Sequence, residues 1–79
     1  MLDIENRLLD TVAKSLGVDK SKLHLSNTLG EDIPCDSLQF YNLIIEIEME
    51  FDVEFDPALL SGFKNLTTLC NYLDQHSSN

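Results

Sequence analysis

Apolar positions recur at helical spacing in three parts of the chain. Ile4, Leu8, Val12 and Leu16, with Leu9 beside them, form one stripe, and Gly17 follows as a natural C-terminal stop. Phe40, Ile44, Ile47 and Phe51 fall at spacings of four, three and four and make a second stripe, widened by Leu43. Gln39, Asn42, Glu46 and Glu50 lie opposite it on a wholly polar side. Asp36 is a good N-cap, and Gln39 three residues later completes a capping-box pattern, so a helix is predicted over about residues 37–51. Leu66, Leu69 and Leu73, with Tyr72, line a last helix, for which Thr67 is the expected cap. Asp56-Pro57 reads as an N-cap followed by proline at the first helical position, opening a short turn that ends by Gly62. Between the first two helices, Val18 to Cys35 is a long connection plugged by Val18, Leu23, Leu25, Leu29 and Ile33.

One segment offers a competing reading. Ile45 to Asp56 is IEIEMEFDVEFD, an unbroken alternation of apolar and acidic residues, which is the pattern of a half-buried strand. A strand needs a partner. The only other alternating run, Lys22 to Leu25, is too short to cover it, and there is no Asn-Gly or Asp-Gly hairpin signal. A strand would also line six acids along one face, in a composition poor for strands. The helix is therefore preferred, and the alternation is read as apolar residues lying on more than one helical face. The predicted fold is all-α: a small four-helix bundle of three main helices and one short one, with a long loop between the first and second.

The chain has 79 residues, enough for a single domain over 1–79, with residues 77–79 expected as a loose tail and His76 in a fraying end. A domain of this size hides only about 60% of the surface its unfolded chain exposes, which leaves little room for a buried catalytic cleft. An apolar content of 43% argues against intrinsic disorder. Two cysteines make no disulfide framework, no apolar run approaches a membrane span, and the acidic amphipathic N-terminus is not a targeting peptide, so a cytoplasmic, reduced protein is the default expectation.

Charge adds more. The net charge is −9, and between residues 23 and 63 there is no Lys or Arg while nine acids occur: Glu31, Asp32, Asp36, Glu46, Glu48, Glu50, Asp52, Glu54 and Asp56. A one-signed field repels nucleic acid and anionic membrane and steers basic protein partners. Leu38, Tyr41, Ile45 and Met49 also follow helical spacing, but they point roughly a third of a turn or more away from the core stripe. Glu48 and Asp52 flank them. Apolar anchors with an acidic rim describe a docking strip, the alternative being that these side chains wrap further into the core.

Ser37 stands at the first turn of the acidic helix, between Asp36 and Leu38. Exposed N–H groups and the helix dipole favour an anion there, so a phosphodiester on Ser37 would be well placed. The triplet Asp36-Ser37-Leu38, after a long loop and before a long acidic helix, resembles the acyl carrier protein family. The resemblance extends to SLGVDKSKL at the end of the first helix, LGEDIPCDSL into the second, MEFDVEFDP out of it and NLTTLCNYLD in the last. It implies a 4′-phosphopantetheine group on Ser37, installed from coenzyme A by a phosphopantetheinyl transferase with that enzyme's Mg²⁺. It further implies a terminal thiol that holds an acyl, aminoacyl or polyketide chain as a thioester. Such a carrier performs no catalysis. It presents its cargo to an acyl-loading ligase or acyltransferase, and to a ketosynthase or other transferase with a basic docking patch. Those partners read mainly the second helix, where Leu38, Tyr41, Ile45, Glu48, Met49 and Asp52 match the family's docking positions. A monomer is expected, with no nucleic-acid partner and no membrane insertion.

There are departures from the family pattern. Fatty-acid-type members usually carry acids where this chain has Gln39 and Asn42, Met49 stands where another acid is common, and Tyr41 is bulkier than the usual aliphatic residue. A specialised carrier in a secondary-metabolite or dedicated pathway is the reading these favour. The protein is expected to be free-standing, with an excised domain beginning with an added Met1 as the alternative. Two other classes fit the charge: an unmodified acidic helical adaptor and an acidic nucleic-acid mimic, neither of which needs Ser37. Cys35 lacks a neighbouring base and is read as a small loop residue, and Cys70 as a half-buried helix residue. His24 and His76 are too isolated for a zinc motif, and no calcium loop, phosphate-cradling glycine loop or catalytic triad is visible.

Overall fold

The computed structural model describes residues 3–76, and the predicted tail at 77–79 lies outside them. Three α-helices form where the apolar stripes predict them: α1 over Asp3–Leu16, α2 over Ser37–Phe51 and α3 over Leu66–His76. Two 3₁₀ segments, Lys20–Lys22 and Pro57–Phe63, punctuate the connections. The stripes face one another. Ile4, Leu8 and Val12 of α1, Phe40, Leu43, Ile44, Ile47 and Phe51 of α2, and Leu66, Leu69 and Leu73 of α3 are all buried. Each such side chain contributes about 1.5–3 kcal/mol relative to exposure, which is the main stabilising term for a chain of this length.

The helix ends are fixed by backbone geometry. After α1, Gly17 adopts a left-handed φ of 68°, and the Val18 N–H reaches back to the Ala13 carbonyl at 3.1 Å. This closing bond satisfies a carbonyl that the last turn would otherwise orphan. The same device ends α2, with an aspartate in place of glycine: Asp52 has φ 55°, and the Val53 N–H bonds to the Glu48 carbonyl at 3.2 Å. Arg7, in the N-terminal half of α1, ties that helix to the end of α2. Its guanidinium lies 4.6 Å from the Phe51 ring centroid and donates to the Glu50 carbonyl at 2.8 Å.

Beyond Phe51 the alternating pattern acquires a second meaning. Within α2 it is incidental, as expected. From Asp52 to Asp56, however, the backbone is non-helical and the alternation is real: Val53 and Phe55 are buried while Asp52, Glu54 and Asp56 are exposed. A run read as one helical accident is thus a helix joined to a short extended segment, each with its own period.

Three expectations are corrected. The cap of α3 is Asn65, not Thr67: the Asn65 Oδ1 accepts from the Thr67 and Thr68 N–H groups at 3.0 and 3.2 Å. Thr67 lies inside the helix, and its hydroxyl donates instead to the Leu25 carbonyl of the long loop at 2.7 Å. The short helix runs past Gly62 to Phe63, because Phe63 is buried against Phe55 and Tyr72, with ring centroids 5.2 and 4.9 Å away. His76 is part of α3, stacked on the Tyr72 ring at 4.2 Å.

The long loop is stitched to the start of α3. The Leu29 N–H donates to the Lys64 carbonyl at 2.7 Å and the Leu66 N–H to the Asn27 carbonyl at 3.0 Å. Leu23, Leu29 and Ile33 plug the core from this loop, with Val18 and Leu25 partly buried beside them. Among the described residues no helix is long and apolar enough to cross a membrane.

The left-handed Asp52 generates a stability prediction. A side chain at positive φ is strained by about 1–2 kcal/mol, so Asp52→Gly is expected to raise the melting temperature by a few degrees. Asp52→Asn, which removes the charge but keeps a side chain tolerant of this region, separates the backbone effect from relief of repulsion. If glycine is no better than asparagine in thermal denaturation, the strain is negligible.

Candidate functional site

At the start of α2 the local sequence frees Ser37 from structural duty. Asp36, in extended conformation, accepts the Gln39 N–H on its Oδ1 at 2.8 Å, and the Gln39 side chain returns the bond to the Asp36 N–H at 3.0 Å. These reciprocal bonds satisfy two donors at the helix entrance without using the serine hydroxyl. Gln39, a departure from the family pattern, therefore has a structural function here. Ser37 itself is exposed at the first residue of the helix.

Ser37 opens onto a cleft of about 420 Å³ between the N-terminal half of α2 and the 3₁₀ helix at 57–63. Leu29 and Phe40 lie at the core side, Tyr41, Leu60 and Ser61 along the walls, and Asp36 and Lys64 bring opposite charges to it. An exposed hydroxyl at a self-capped helix N-terminus, beside a cleft with one cation, fits a covalently attached phosphodiester. Cys35 lines the same cleft, with its Sγ 3.7 Å from the Asp36 carbonyl. Burial pushes its thiol pKa up, Asp36 adds to this, and Lys64 opposes it. Cys70 is likewise raised, by burial and then by Glu5 and Asp74. Both thiols thus favour the protonated form, which is the poorer nucleophile.

The second apolar set of α2 does not wrap into the core. Exposure runs from 53% for Ile45 and 56% for Tyr41 to 70% for Leu38 and 78% for Met49. Together with Leu59, these four are the exposed large hydrophobics among the described residues. Glu46, Glu50 and Asp52 are exposed along the same helix and its end.

The two acids of the predicted strip differ. Asp52 is exposed in the left-handed turn. Glu48 is half-buried, and its Oε2 accepts the Phe55 N–H at 2.8 Å, so it braces the extended segment behind the helix. Among the described residues no group of three or more His, Cys, Asp or Glu side chains is arranged to hold a metal ion.

Sequence reasoning missed Leu59, Leu60, Ser61 and Lys64. The adjacency Leu59-Leu60 carried a signal, since neighbouring leucines on a short helix cannot both face inward, and Leu59 is exposed while Leu60 packs partly against the core. Nothing in the sequence places Ser61 or Lys64 beside Ser37.

Comparison with known proteins finds similarity over nearly the whole chain. A family model described as a phosphopantetheine attachment site matches residues 6–73. The chain is 34% identical over 76 residues to an acyl carrier protein of Phytoplasma mali, an alignment covering 96% of this chain and 90% of that one. It is also 34% identical over 76 residues to an acyl carrier protein of Phaeodactylum tricornutum, covering 96% of this chain and all of the relative, 100%.

Loss of the Asp36 cap is expected to cost about 0.5–2 kcal/mol, enough to lower the melting temperature of Asp36→Ala by several degrees. An unchanged melting curve would mean that the capping box contributes nothing.

Proposed function

The chain belongs to the acyl carrier protein family and holds acyl intermediates through phosphopantetheine, and we propose that Ser37 is the residue to which this group is attached. The carrying observation is the exposed serine at the first turn of α2, bypassed by the Asp36–Gln39 capping box. Coenzyme A is the proposed donor, with a phosphopantetheinyl transferase as the enzyme that uses it. The Ser37 hydroxyl oxygen bonds to the phosphorus next to the pantetheine, the pyrophosphate P–O bond of coenzyme A breaks, adenosine 3′,5′-bisphosphate departs, and the serine proton passes to a base of the transferase. Once attached, the group supplies a terminal thiol on which an acyl chain is held as a thioester.

The remaining chemistry belongs to partner enzymes, and the chain's residues position the cargo. The helix N-terminus and its dipole favour the negative charge of the phosphodiester. Leu38, Tyr41, Ile45 and Met49 are proposed as the apolar anchors of docking, with the half-buried Glu48 and the exposed Asp52 at the rim. The proposed partners are a loading ligase or acyltransferase and a ketosynthase-type transferase presenting basic residues. Charge complementarity of this kind raises encounter rates and sets register more than it adds affinity. The neutral Gln39 and Asn42, and the bulky Tyr41, favour a dedicated or secondary-metabolite pathway over general fatty-acid synthesis.

Incubation with coenzyme A and a broad-specificity phosphopantetheinyl transferase is expected to add one phosphopantetheine by intact mass spectrometry, and Ser37→Ala is expected to abolish the gain. No gain in a folded protein with an active transferase would favour an unmodified adaptor. For docking, Ile45→Glu is the clean probe, since Ile45 is exposed and Glu48 carries a structural bond. Truncating or reversing a central anchor commonly costs 1 kcal/mol or more, so transfer to a partner is expected to fall roughly five-fold or further at an unchanged melting temperature. An unchanged transfer rate would remove the strip.

A further inference from the structure

Lys64 is the only Lys or Arg between residues 23 and 79, a span that holds ten acids, and it lines the same cleft as Ser37. Its backbone is held in place: the Lys64 carbonyl accepts the Leu29 N–H at 2.7 Å, and the next residue, Asn65, caps α3. Its ammonium lies 5.7 Å from the Phe40 ring centroid, over a side chain of the core stripe. Among the described residues the ion pairs are Arg7–Glu50 and Lys20–Asp10, and neither uses Lys64. Asp36 lines the same cleft, yet its carboxylate is engaged with the Gln39 N–H. The cation thus lies over an aromatic ring that lines the same cleft, without a carboxylate partner among the described residues.

Attachment at Ser37 would add a further negative charge next to Asp36, in a chain whose net charge is already −9. The helix dipole offsets part of that repulsion. We propose that Lys64 is the counter-ion of the phosphodiester on Ser37, a built-in clamp that neutralises the root of the prosthetic arm and holds it against the cleft wall formed by Tyr41, Leu60 and Ser61. The inference rests on the assignment of Ser37 as the attachment residue. Its consequence is that the arm leaves the protein on the side of the 3₁₀ helix at 57–63, while the anchors on α2 stay open to partners. Lys64 is a positioning residue, and its effect is electrostatic, so it is sensitive to salt.

The test compares apo and modified forms of the wild-type chain, Lys64→Gln and Lys64→Arg, all at low ionic strength. Intact mass spectrometry, with Ser37→Ala as the control, first establishes whether Ser37 carries the group. Phosphorus NMR then reads the environment of the phosphodiester, and thermal denaturation reads the change in melting temperature on modification. In Lys64→Gln the phosphorus resonance is expected to move from its wild-type position. The change in melting temperature on modification is expected to become less favourable by about 2–6 °C, the scale of one partly exposed ion pair in a domain of this size. Lys64→Arg is expected to restore both, and high salt to erase the difference. Modified proteins that are indistinguishable in both readouts would overturn the clamp and leave the Ser37 assignment intact. Absence of any mass gain on the wild-type chain would overturn both.

Discussion

Rotation of α2 about its own axis is set by five side chains, Phe40, Leu43, Ile44, Ile47 and Phe51, and the rest of the molecule's surface chemistry follows from that angle. All five are buried, with exposures of 5% or less. Their combined burial outweighs any other single feature of the helix, so the helix cannot turn without exposing an aromatic ring or an isoleucine. With this stripe fixed inward, Ser37 emerges at the entrance of the cleft, and Leu38, Tyr41, Ile45 and Met49 are left in solvent. Arg7 reinforces the setting at the far end, bridging α1 to the Phe51 ring and the Glu50 carbonyl of α2. Its exposed ion pair with Glu50 adds little by itself, and the packing of its stem and its bond to the backbone matter more.

An amphipathic helix with an unpartnered apolar face is a liability in a small domain, and its persistence calls for a function. A chain of this size gains little from any one surface side chain and loses solubility from a cluster of them. Like-charged faces repel, so the acids along α2 oppose self-association of that cluster and would not oppose a basic partner. In the proposed docking, anchors and rim would act as one device, the charge selecting the partner and the apolar side chains holding it.

On the proposal that Ser37 is the attachment residue, one more anion must be accommodated beside Asp36. The dipole of α2 favours an anion within the first turn, and Lys64 is the cation that lines the same cleft. Glu48 shows the complementary economy. An acid that counts toward the surface charge is also a backbone acceptor for Phe55, and it fixes the segment that leads from α2 into the 3₁₀ helix forming the opposite wall.

The sequence by itself determined the local features. Helix spans, the Asp36–Gln39 cap, the Gly17 stop and the separation of core and solvent faces on α2 all depend on residues within four or so of one another, and helical geometry relates such residues directly. The carrier motif around Ser37 was legible for the same reason, being contiguous. Tertiary structure decided what depends on distant segments meeting. Thr67 looks like a cap until the long loop arrives and takes its hydroxyl, leaving the role to Asn65. Phe63 extends the short helix because Phe55 and Tyr72 wait beyond it. The alternation from Asp52 to Asp56 becomes an extended segment because a left-handed residue ends α2 and the core takes Val53 and Phe55. Lys64 reaches the cleft of Ser37 across more than twenty residues of chain, by hydrogen bonds between two loops that no periodicity encodes.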